Sequence, residues 1–484
     1  MAEDFTPPPG RFDDEFEGEA DVVDIKTRKP RKGRGATPPV QAGQHQFDMG
    51  DHVEIGRYLD SDLRAIAPTT YTEAEFYRYV RECGVYKCIP ESELHLVVQG
   101  YSGSPVENSG KRLSVRMADI KSGVGCAADR MEDRRFFSSA AAGITFLSSF
   151  VRVAASGITQ EEHSEEQRSR FAYPFAYRAD AEPERLLALL KGAFRDDVDA
   201  DKKIALLQEH VGMALIGEGC RYQKALLLVG AQGANGKSTV QSVMKEAMPV
   251  GSTVSIAPHD MGVDYDRAQM VGKRLNIVSE VEQRELSRSE PWKAMIDGKN
   301  ELKARSPYKD VIFFTPTAAH LYSCNKPPDT SDQSGGFWRR WEVIEFNRSF
   351  AVHEQVADLD RIIVAEELPA VVSWLLRGAQ RALQQGRYTV PESSAVAIEK
   401  WRQSADQVAC FVAEQCERLG PDDRADLWTP HVQLFKAYTN WASLNNYKGT
   451  LTSRRFTERM EFLRLTSKRV AKGYVYPVML TYGE

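Results

Sequence analysis

Hydrophobic residues follow two different spacings along this chain. In residues 224–346, short apolar runs alternate with amphipathic stretches, the pattern of a sheet covered by helices. The apolar runs predict buried strands at Ala225–Val229, Leu275–Val278, Thr315–Ser323 and Glu342–Phe346. The sequence therefore predicts an α/β core.

Helical spacing dominates on both sides of this core. Leucine and valine recur at intervals of three and four residues in Glu184–Gly217, and a helical pattern runs from Phe350 to Gln385. The segment Tyr388–Pro391 is predicted as a linker. Further upstream the pattern is mixed, with helices predicted at Glu73–Arg81 and Val115–Gly123 and a strand at His95–Val98.

The last part of the chain has its own pattern. Pro430–Leu444 and Arg454–Leu463 predict two amphipathic helices, and Val470–Leu480 predicts a hairpin that turns at Lys472-Gly473. With these elements the chain divides into a tail, a mixed α+β N-terminal domain, the α/β core and a small C-terminal domain, predicted at 1–50, 51–195, 196–385 and 386–484.

Composition changes this picture at the N-terminus. Nine acidic residues precede position 25, and six basic residues follow between Lys26 and Arg34. Such a segment buries too little apolar surface to offset its ordering entropy, so a solvated disordered tail is predicted, with a grip on nucleic acid or a partner as the alternative. The formal net charge is only −5, which gives no global attraction to nucleic acid.

Cysteine usage and hydropathy limit the cellular setting. The seven cysteines are scattered and have no zinc-site spacing, which indicates free thiols in a reducing compartment. The sequence has no apolar run long enough for a membrane span and no basic-then-apolar leader. A cytoplasmic protein without a membrane partner is predicted.

The first candidate chemistry is a glycine-rich loop between a predicted strand and a predicted helix. Its candidate phosphate-binding residues are Ala231, Gln232, Gly233, Ala234, Asn235, Gly236, Lys237, Ser238 and Thr239. Glycines let backbone N–H groups face phosphate oxygens, the lysine reaches the β- and γ-phosphates, and Ser238 ligates Mg²⁺. The loop predicts ATP and Mg²⁺ as cofactors, although Ala231 stands where the strict pattern has glycine. A structural turn before a helix is the alternative.

Three polar groups follow at predicted strand ends. Glu280 and Glu282 could hold Mg²⁺ through water and polarise an attacking water. Glu280 is the candidate metal ligand, and the division of the two roles between these carboxylates stays open. Asn325 could contact a γ-phosphate, and Arg339 and Arg340 suit an arginine finger. Each group also has a simpler interpretation: a solvated strand edge for the carboxylates, a turn for the asparagine, and stacking or salt bridges for the arginines.

Taken together, these motifs resemble the superfamily 3 helicases, which are AAA+-type motors, and within them the phage and plasmid primase–helicase group with its poxvirus relatives. The resemblance rests on Gly233–Thr239, Val278–Glu280, Ser323–Asn325 and Phe337–Arg340, in that order. Upstream, Ala142–Phe146 and Ile204–Gly217 are similar to the N-terminal region of that group. The resemblance implies a ring, with a hexamer as the expected form, in which Arg339 or Arg340 completes the neighbouring subunit's ATP site.

The resemblance also implies two DNA-binding elements. A hairpin that tracks single-stranded or forked DNA is expected at Asp297–Lys309, with Lys299, Lys303, Arg305 and Lys309 as contacts. A winged helix is expected at the C-terminus, where seven Lys/Arg face two Glu between 451 and 480; its candidate contacts are Arg454, Arg455 and Lys472. The alternatives are an exposed charged hairpin and a basic face used for ring packing.

The leading hypothesis is an ATP-driven DNA helicase for phage or mobile-element replication. Primase chemistry is not expected, because the upstream region has no zinc-finger cysteines and no clustered Asp-x-Asp site, but a separate primase or other replication protein is an open partner. The competing hypotheses are an ATP-regulated origin-binding or loader protein and, with less support, a small-molecule P-loop kinase.

Overall fold

The computed structural model describes residues 45–282, 286, 289–305, 311–330, 332–420, 427–445, 450–471 and 473–481. The predicted tail falls almost entirely outside this range, and so do the candidate residues Lys309 and Lys472. Within the described residues no helix is long and apolar enough to cross a membrane.

The N-terminal part contains two small antiparallel sheets and a helical layer. The strands β1, β2 and β3 form one sheet and β6, β7 and β8 the other. Helices α1 and α3 pack closely because Gly56 faces Cys126; a Cβ on Gly56 would stand 2.5 Å from Cys126 Cβ. The elements are α1 (His52–Ile66), β1 (Thr69–Thr72), β2 (Glu75–Val80), β3 (Val85–Cys88), α2 (Glu91–Gln99), β4 (Pro105–Val106), β5 (Lys111–Arg112), α3 (Met117–Met131), β6 (Gly143–Thr145), β7 (Phe150–Ala154) and β8 (Gly157–Glu161).

Two predictions in this region are wrong. The predicted helix Glu73–Arg81 is strand β2, whose aromatic residues suit a pleated surface better than a helix. The predicted strand His95–Val98 lies inside helix α2, which starts after Pro90 and carries Glu91 and Glu93 in its first turn, where acidic residues favour a helix. The helix predicted at Val115–Gly123 is confirmed as the start of α3.

The central part is an α/β unit around one parallel sheet, as predicted. Its five strands lie in the order β10-β11-β14-β9-β15. The elements are α4 (Glu184–Ala193), α5 (Ala200–Leu215), β9 (Ala225–Val229), α6 (Lys237–Glu246), β10 (Thr253–Val254), α7 (Asp264–Ala268), β11 (Leu275–Val278), α8 (Glu290–Asp297), β12 (Leu302–Arg305), β13 (Val311–Phe314), β14 (Ala319–Cys324), α9 (Gly335–Trp338), β15 (Trp341–Glu345) and α10 (Leu359–Gln385).

The predicted strands of this sheet are confirmed, with changed boundaries in two of them. Strands β9 and β11 have the predicted bounds, and β15 is shifted by one residue. Strand β14 starts at Ala319 rather than Thr315, because Pro316 has no N–H to donate to a sheet interior. All six residues of β14 are buried, so helices cover both faces of the sheet, as its parallel strands require.

The C-terminal part follows α10 through helix α11 (Glu392–Ser404), which packs on β15. Both predicted helices are confirmed. The predicted hairpin is confirmed only in part: it joins β18 to β19, with Val470 opposite Gly473, whereas Val478–Leu480, which the prediction placed in the same hairpin, forms β20 and pairs with β16. The elements are α12 (Gln407–Gln415), β16 (Cys416–Arg418), β17 (Thr429–Pro430), α13 (His431–Leu444), α14 (Ser453–Phe462), β18 (Lys468–Val470), β19 (Gly473–Tyr476) and β20 (Val478–Leu480).

Candidate nucleotide site and nucleic-acid surfaces

The glycine loop connects the end of β9 to the start of α6. Two of its residues have left-handed backbone, Gly236 at φ +82° and Ala234 at φ +54°. Gly233 does not need this conformation; it lies where a Cβ would meet no atom within 4 Å, so the backbone is open to a ligand there. Alternating backbone handedness of this kind forms the concave arrangement of N–H groups that binds anions.

Asn235 supports the loop from inside. Its side chain is buried; Nδ2 donates to the carbonyl of Gln232 at 2.7 Å, and Oδ1 accepts from the backbone N–H of Lys237 at 3.2 Å. This one side chain therefore supplies a hydrogen-bond partner both to a loop carbonyl and to an N–H group in the first turn of α6, where helix N–H groups otherwise have no partner. Residues Ala231, Gln232, Gly233 and Ala234 are exposed.

A second support of the loop has no counterpart in the sequence motif. The hydroxyl of Ser349 donates to the carbonyl of Gly233 at 3.0 Å, and the N–H of Phe350 donates to the carbonyl of Ala234 at 2.7 Å. Both residues lie just after β15, the neighbour of β9 in the sheet. Sequence reasoning missed them, because contacts made by a distant loop leave no spacing signal.

Lys237 connects the loop to the neighbouring strand. Its ammonium donates to the carbonyls of Cys324 at 2.7 Å and Gly230 at 3.3 Å, and to Oδ1 of Asn325 at 3.2 Å. Burial lowers the pKa of Lys237, while the negative charge of Glu280 opposes this shift. A buried cation held mainly by neutral oxygens is suited to pair with a phosphate.

Asn325 extends this contact to the acidic strand. Its Nδ2 donates to Oε1 of Glu280 at 3.2 Å, so a continuous chain of hydrogen bonds joins Lys237, Asn325 and Glu280. The sheet order explains the meeting, because β14 lies between β9 and β11 and all three strands end at the same edge. Three residues that are at least 43 positions apart in the sequence thus share one site.

The two carboxylates have different surroundings. Both are exposed, but Glu280 joins the chain through Asn325, whereas the structure gives Glu282 no hydrogen bond within the described residues. The N–H of Val281, between them, donates to the carbonyl of Ser323 at 2.7 Å and fixes this segment beside β14. Glu280 is therefore the better placed partner for a metal ion near the lysine.

The donor set fits a nucleotide with Mg²⁺. Ser238 follows Lys237 in the first turn of α6, is exposed, and has a hydroxyl of the kind that ligates Mg²⁺ beside a phosphate; Thr239 next to it is half-buried. The carboxylate of Glu280 supplies the second hard oxygen ligand. The loop backbone, Lys237, Ser238 and Glu280 would hold the pair, and the metal would neutralise charge on the phosphates.

The arginine pair lies at the opposite edge of the sheet. Both residues precede β15, whereas the glycine loop follows β9, and the two strands are parallel with Trp341 opposite Ala225. Five strand residues span about 16 Å, so neither arginine starts near its own subunit's loop. The structure therefore does not bring Arg339 or Arg340 together with Lys237.

The two arginines differ in accessibility. Arg340 is buried and forms a forked ion pair with Asp297, with Nη2 at 2.6 and 2.8 Å from the two carboxylate oxygens. Arg339 is exposed, and its Nη1 donates to Oε1 of Gln223 at 3.1 Å. Only Arg339 is presented to another molecule.

The predicted basic hairpin is formed by β12 and β13. Lys303 lies opposite Phe313, and Arg305 lies opposite Val311. All four side chains are on one exposed face; Phe313 is 46% exposed. Lys299 is exposed just before β12. Sequence reasoning found the cations but missed Phe313, whose pairing with Lys303 depends on the strand register.

Fewer cations are exposed on the C-terminal basic surface than its number of Lys and Arg residues implied. Arg454 and Arg455 are exposed on α14, and Arg454 pairs with Glu458 at 3.0 Å. Arg459, by contrast, is half-buried and forms an ion pair with the buried Asp406, so it stabilises the fold and is not free to contact DNA. On the ribbon, exposed Arg469 lies opposite Tyr474, another cation beside an aromatic ring.

Comparisons with known proteins give a match to a family over part of the chain and no activity. Residues 228–340, which contain the loop, the carboxylates, Asn325 and both arginines, match a family described as a family of unknown function (DUF5906). No curated protein matches the chain.

Among solved structures, the chain is similar to three forms of one protein. The A form apo structure of the NrS-1 C-terminal region matches at 10% identity and a TM-score of 0.42, covering 88% of this chain and 98% of that one. The A form of its region 305–718 matches at 12% identity and a TM-score of 0.39, covering 89% of this chain and 100% of that one. A further apo structure of that region matches at 11% identity and a TM-score of 0.38, covering 88% of this chain and 100% of that one. These values are too low to transfer an activity.

Proposed function

We propose that this protein is an ATP-dependent DNA helicase of the superfamily 3 type, with an AAA+-type core, acting in phage or mobile-element replication. The observation that carries the proposal is the chain of hydrogen bonds from Lys237 through Asn325 to Glu280. These side chains come from three neighbouring strands, and together they supply a phosphate anchor, a polar sensor and a carboxylate for water and metal.

The chemistry follows from this arrangement. A triphosphate in the glycine loop competes with the carbonyls of Gly230 and Cys324 for the ammonium of Lys237. Glu280 would hold Mg²⁺ or polarise the attacking water, and Asn325 would contact the γ-phosphate or that water. Catalysis of phosphoryl transfer is mainly positioning and charge neutralisation, which these groups provide without a covalent intermediate.

Completion of the site requires a second subunit. Arg339 is exposed at the edge of the sheet opposite the glycine loop, so in a closed ring it can reach a neighbour's γ-phosphate. Arg340 holds Asp297 and stabilises the fold instead. We therefore assign the arginine finger to Arg339 and propose a homo-oligomeric ring, with six subunits as the family resemblance implies.

The output of hydrolysis is proposed to be movement of single-stranded DNA. The hairpin face combines the cations Lys303 and Arg305 with the exposed ring of Phe313, and cations beside aromatic rings bind single strands independently of sequence. The C-terminal order of helix α12, strand β17, helices α13 and α14, and ribbon β18–β19 supports a winged helix as a second DNA contact.

The test is ATP hydrolysis with and without single-stranded DNA, together with unwinding of a forked duplex. Single-stranded DNA should stimulate the wild type, and Lys237→Ala should lose about 100-fold or more in turnover, because it removes the phosphate cation. Lys245→Ala is the matched control, since Lys245 is exposed on the same helix. Unwinding that survives Lys237→Ala contradicts the proposal.

A second candidate function is an ATP-regulated origin-binding or loader protein that assembles on DNA without unwinding. The exposed C-terminal residues Arg454, Arg455 and Arg469 favour it, because they supply a DNA contact separate from the hairpin. The double variant Lys303→Ala with Arg305→Ala separates the two functions. A motor loses DNA-stimulated turnover, whereas a loader keeps it and loses binding only when the C-terminal arginines are changed.

A further inference from the structure

A pocket rich in arginine lies between the N-terminal part and the sheet, on the side of the sheet opposite the glycine loop. Its N-terminal wall carries Arg134, Arg168 and Arg170, and its opposite wall carries Arg274 just before β11. Two carboxylates, Glu73 and Glu218, also line it. Four guanidinium groups against two carboxylates leave a net positive charge in one concave site.

The charges on the N-terminal wall are already partly neutralised. Arg170 forms an ion pair with Glu73, and Arg134 pairs with Glu132 at 2.9 Å. Arg168 stands 3.9 Å from Asp133. The second lining carboxylate, Glu218, pairs with Arg221 outside the pocket at 3.2 Å.

Arg274 is the exception. It is 8% exposed, and no carboxylate of the described residues lies within ion-pair distance of its guanidinium. Among the described residues, the guanidinium makes one hydrogen bond, from Nη1 to the carbonyl of Leu215 at 3.3 Å. Burial, and next the charge of Arg170, lower its pKa to about 10. The charge of Glu218 opposes this shift, but it forms no ion pair with Arg274. A buried charge without an ion-pair partner keeps an uncompensated desolvation cost, so an anion that pairs with Arg274 has a large driving force to bind.

The backbone around the pocket is shaped to admit these side chains. Gly217 and Gly272 have left-handed φ of +85° and +69°. A Cβ on Gly217 would stand 2.1 Å from Nη1 of Arg274, and one on Gly272 would stand 1.9 Å from Nη1 of Arg170. The guanidinium of Arg170 also lies 3.5 Å from the centre of the Phe137 ring, and its Nε has no hydrogen-bond partner in the part of the chain that the structure describes. The guanidinium groups are thus positioned in advance.

We propose that this pocket binds a phosphate group. A guanidinium group can donate two parallel hydrogen bonds to two oxygens of one phosphate. Arg170 and Arg274 line the site, and each has at least one guanidinium N–H without a partner among the described residues. The rim also holds Thr315, which adds a hydroxyl donor, and Thr317, whose hydroxyl already donates to the carbonyl of Lys273 at 3.2 Å. Both lie in the segment that connects strand β13 of the hairpin to β14. The phosphate can come from a DNA strand that passes the hairpin base or from a small phosphorylated ligand. Only assignment to DNA rests on the proposed function.

The first experiment measures phosphate binding on the full chain in the Lys237→Ala background, so that the glycine loop contributes little. Inorganic phosphate should raise the unfolding temperature, and Arg168→Gln or Arg274→Gln should remove that increase. Arg168 is one-third exposed, which keeps the test valid if Arg274→Gln folds poorly. Arg274→Lys retains the charge and should keep part of the effect. Arg361→Gln, at a site 81% exposed, is the control.

The second experiment measures fluorescence anisotropy of a labelled oligothymidylate over a salt series, with Lys237 intact. If a DNA phosphate occupies the pocket, Arg168→Gln lowers the slope of log affinity against log salt by about 0.7. An unchanged slope with lost phosphate stabilisation supports a small phosphorylated ligand. If neither phosphate nor DNA distinguishes the variants from Arg361→Gln, the pocket is not a phosphate site. Loss of ATPase in Lys237→Ala leaves these outcomes unaffected.

Discussion

Asn325 is the residue on which the site's geometry depends most. One end of its amide accepts from Lys237 and the other donates to Glu280, both at 3.2 Å. An amide can do both at once, whereas a carboxylate or an alkyl group of similar size cannot. The sequence identified Asn325 as a candidate sensor. Its hydrogen bond to Glu280 could not be predicted in the same way, because it depends on the order of the strands in the sheet.

Replacing Asn325 by leucine tests this link. The change keeps the volume and removes both hydrogen bonds, so turnover should fall by about 100-fold, comparable to loss of one preorganised polar contact in a catalytic site. Binding of a fluorescent ATP analogue should change only a few-fold, because the loop and Lys237 remain. A loss of nucleotide binding as large as the loss of turnover would assign Asn325 to holding the loop instead.

At the scale of elements, sequence patterns predicted the strands and helices with regular apolar spacing. They missed features that depend on the backbone angles of single residues. The sheet strands and helices α5 and α10 were predictable from apolar periodicity. The β1–β2 hairpin was not, because its two-residue turn is Glu73-Ala74, with φ of +53° and +61°, where hairpins normally carry Asn-Gly. The pocket and the Phe313 face were also missed, since they combine residues distant in sequence or depend on strand register.

The turn makes a prediction about stability. Ala74→Gly should stabilise the protein by about 1 kcal/mol, because glycine removes the steric cost of left-handed backbone at that position. Denaturant unfolding would measure the change. Ala65→Gly in helix α1 is the control and should destabilise, since glycine in a helix only adds conformational freedom to the unfolded chain.

The connection between α8 and α9 makes a prediction about pH. Asp332 accepts from Lys293 at 2.9 Å and from the N–H of Ser334 at 2.9 Å, and also pairs with Ser289. Burial raises the pKa of Asp332, but these hydrogen bonds outweigh it and lower the pKa to about 2. A lowered pKa in the folded state stabilises the protein above pH 4, and this stabilisation is lost as pH falls towards 2.

Asp332→Asn should therefore lower the free energy of unfolding at neutral pH and have much less effect near pH 2, where the aspartate is protonated too. Denaturant unfolding at both pH values measures this difference. Asp360→Asn is a useful comparison: the pKa of Asp360 is lowered mainly by its hydrogen bond from Ser242. An equal penalty at both pH values would mean that Asp332 acts through packing and not through its charge.

At the scale of the whole molecule, the parallel sheet separates the two halves of the proposed catalytic site. Lys237 and Asn325 lie at one edge and Arg339 at the other, so a single chain holds both parts but cannot join them. The predicted domain boundary at 195 does not divide the hydrophobic core. Residues from both sides of it, including Leu190 and Leu206, belong to one buried cluster beside the sheet.

This separation can be tested by mixing variants that are inactive alone. Lys237→Ala subunits keep Arg339, and Arg339→Ala subunits keep the glycine loop. In a randomly mixed ring at equal amounts, about one interface in four joins an intact loop to an intact arginine, so roughly a quarter of wild-type ATPase should return. Mixing Lys237→Ala with Asn325→Leu should restore nothing, because both residues belong to the same side of the interface. Equal failure of both mixtures would place the catalytic arginine elsewhere.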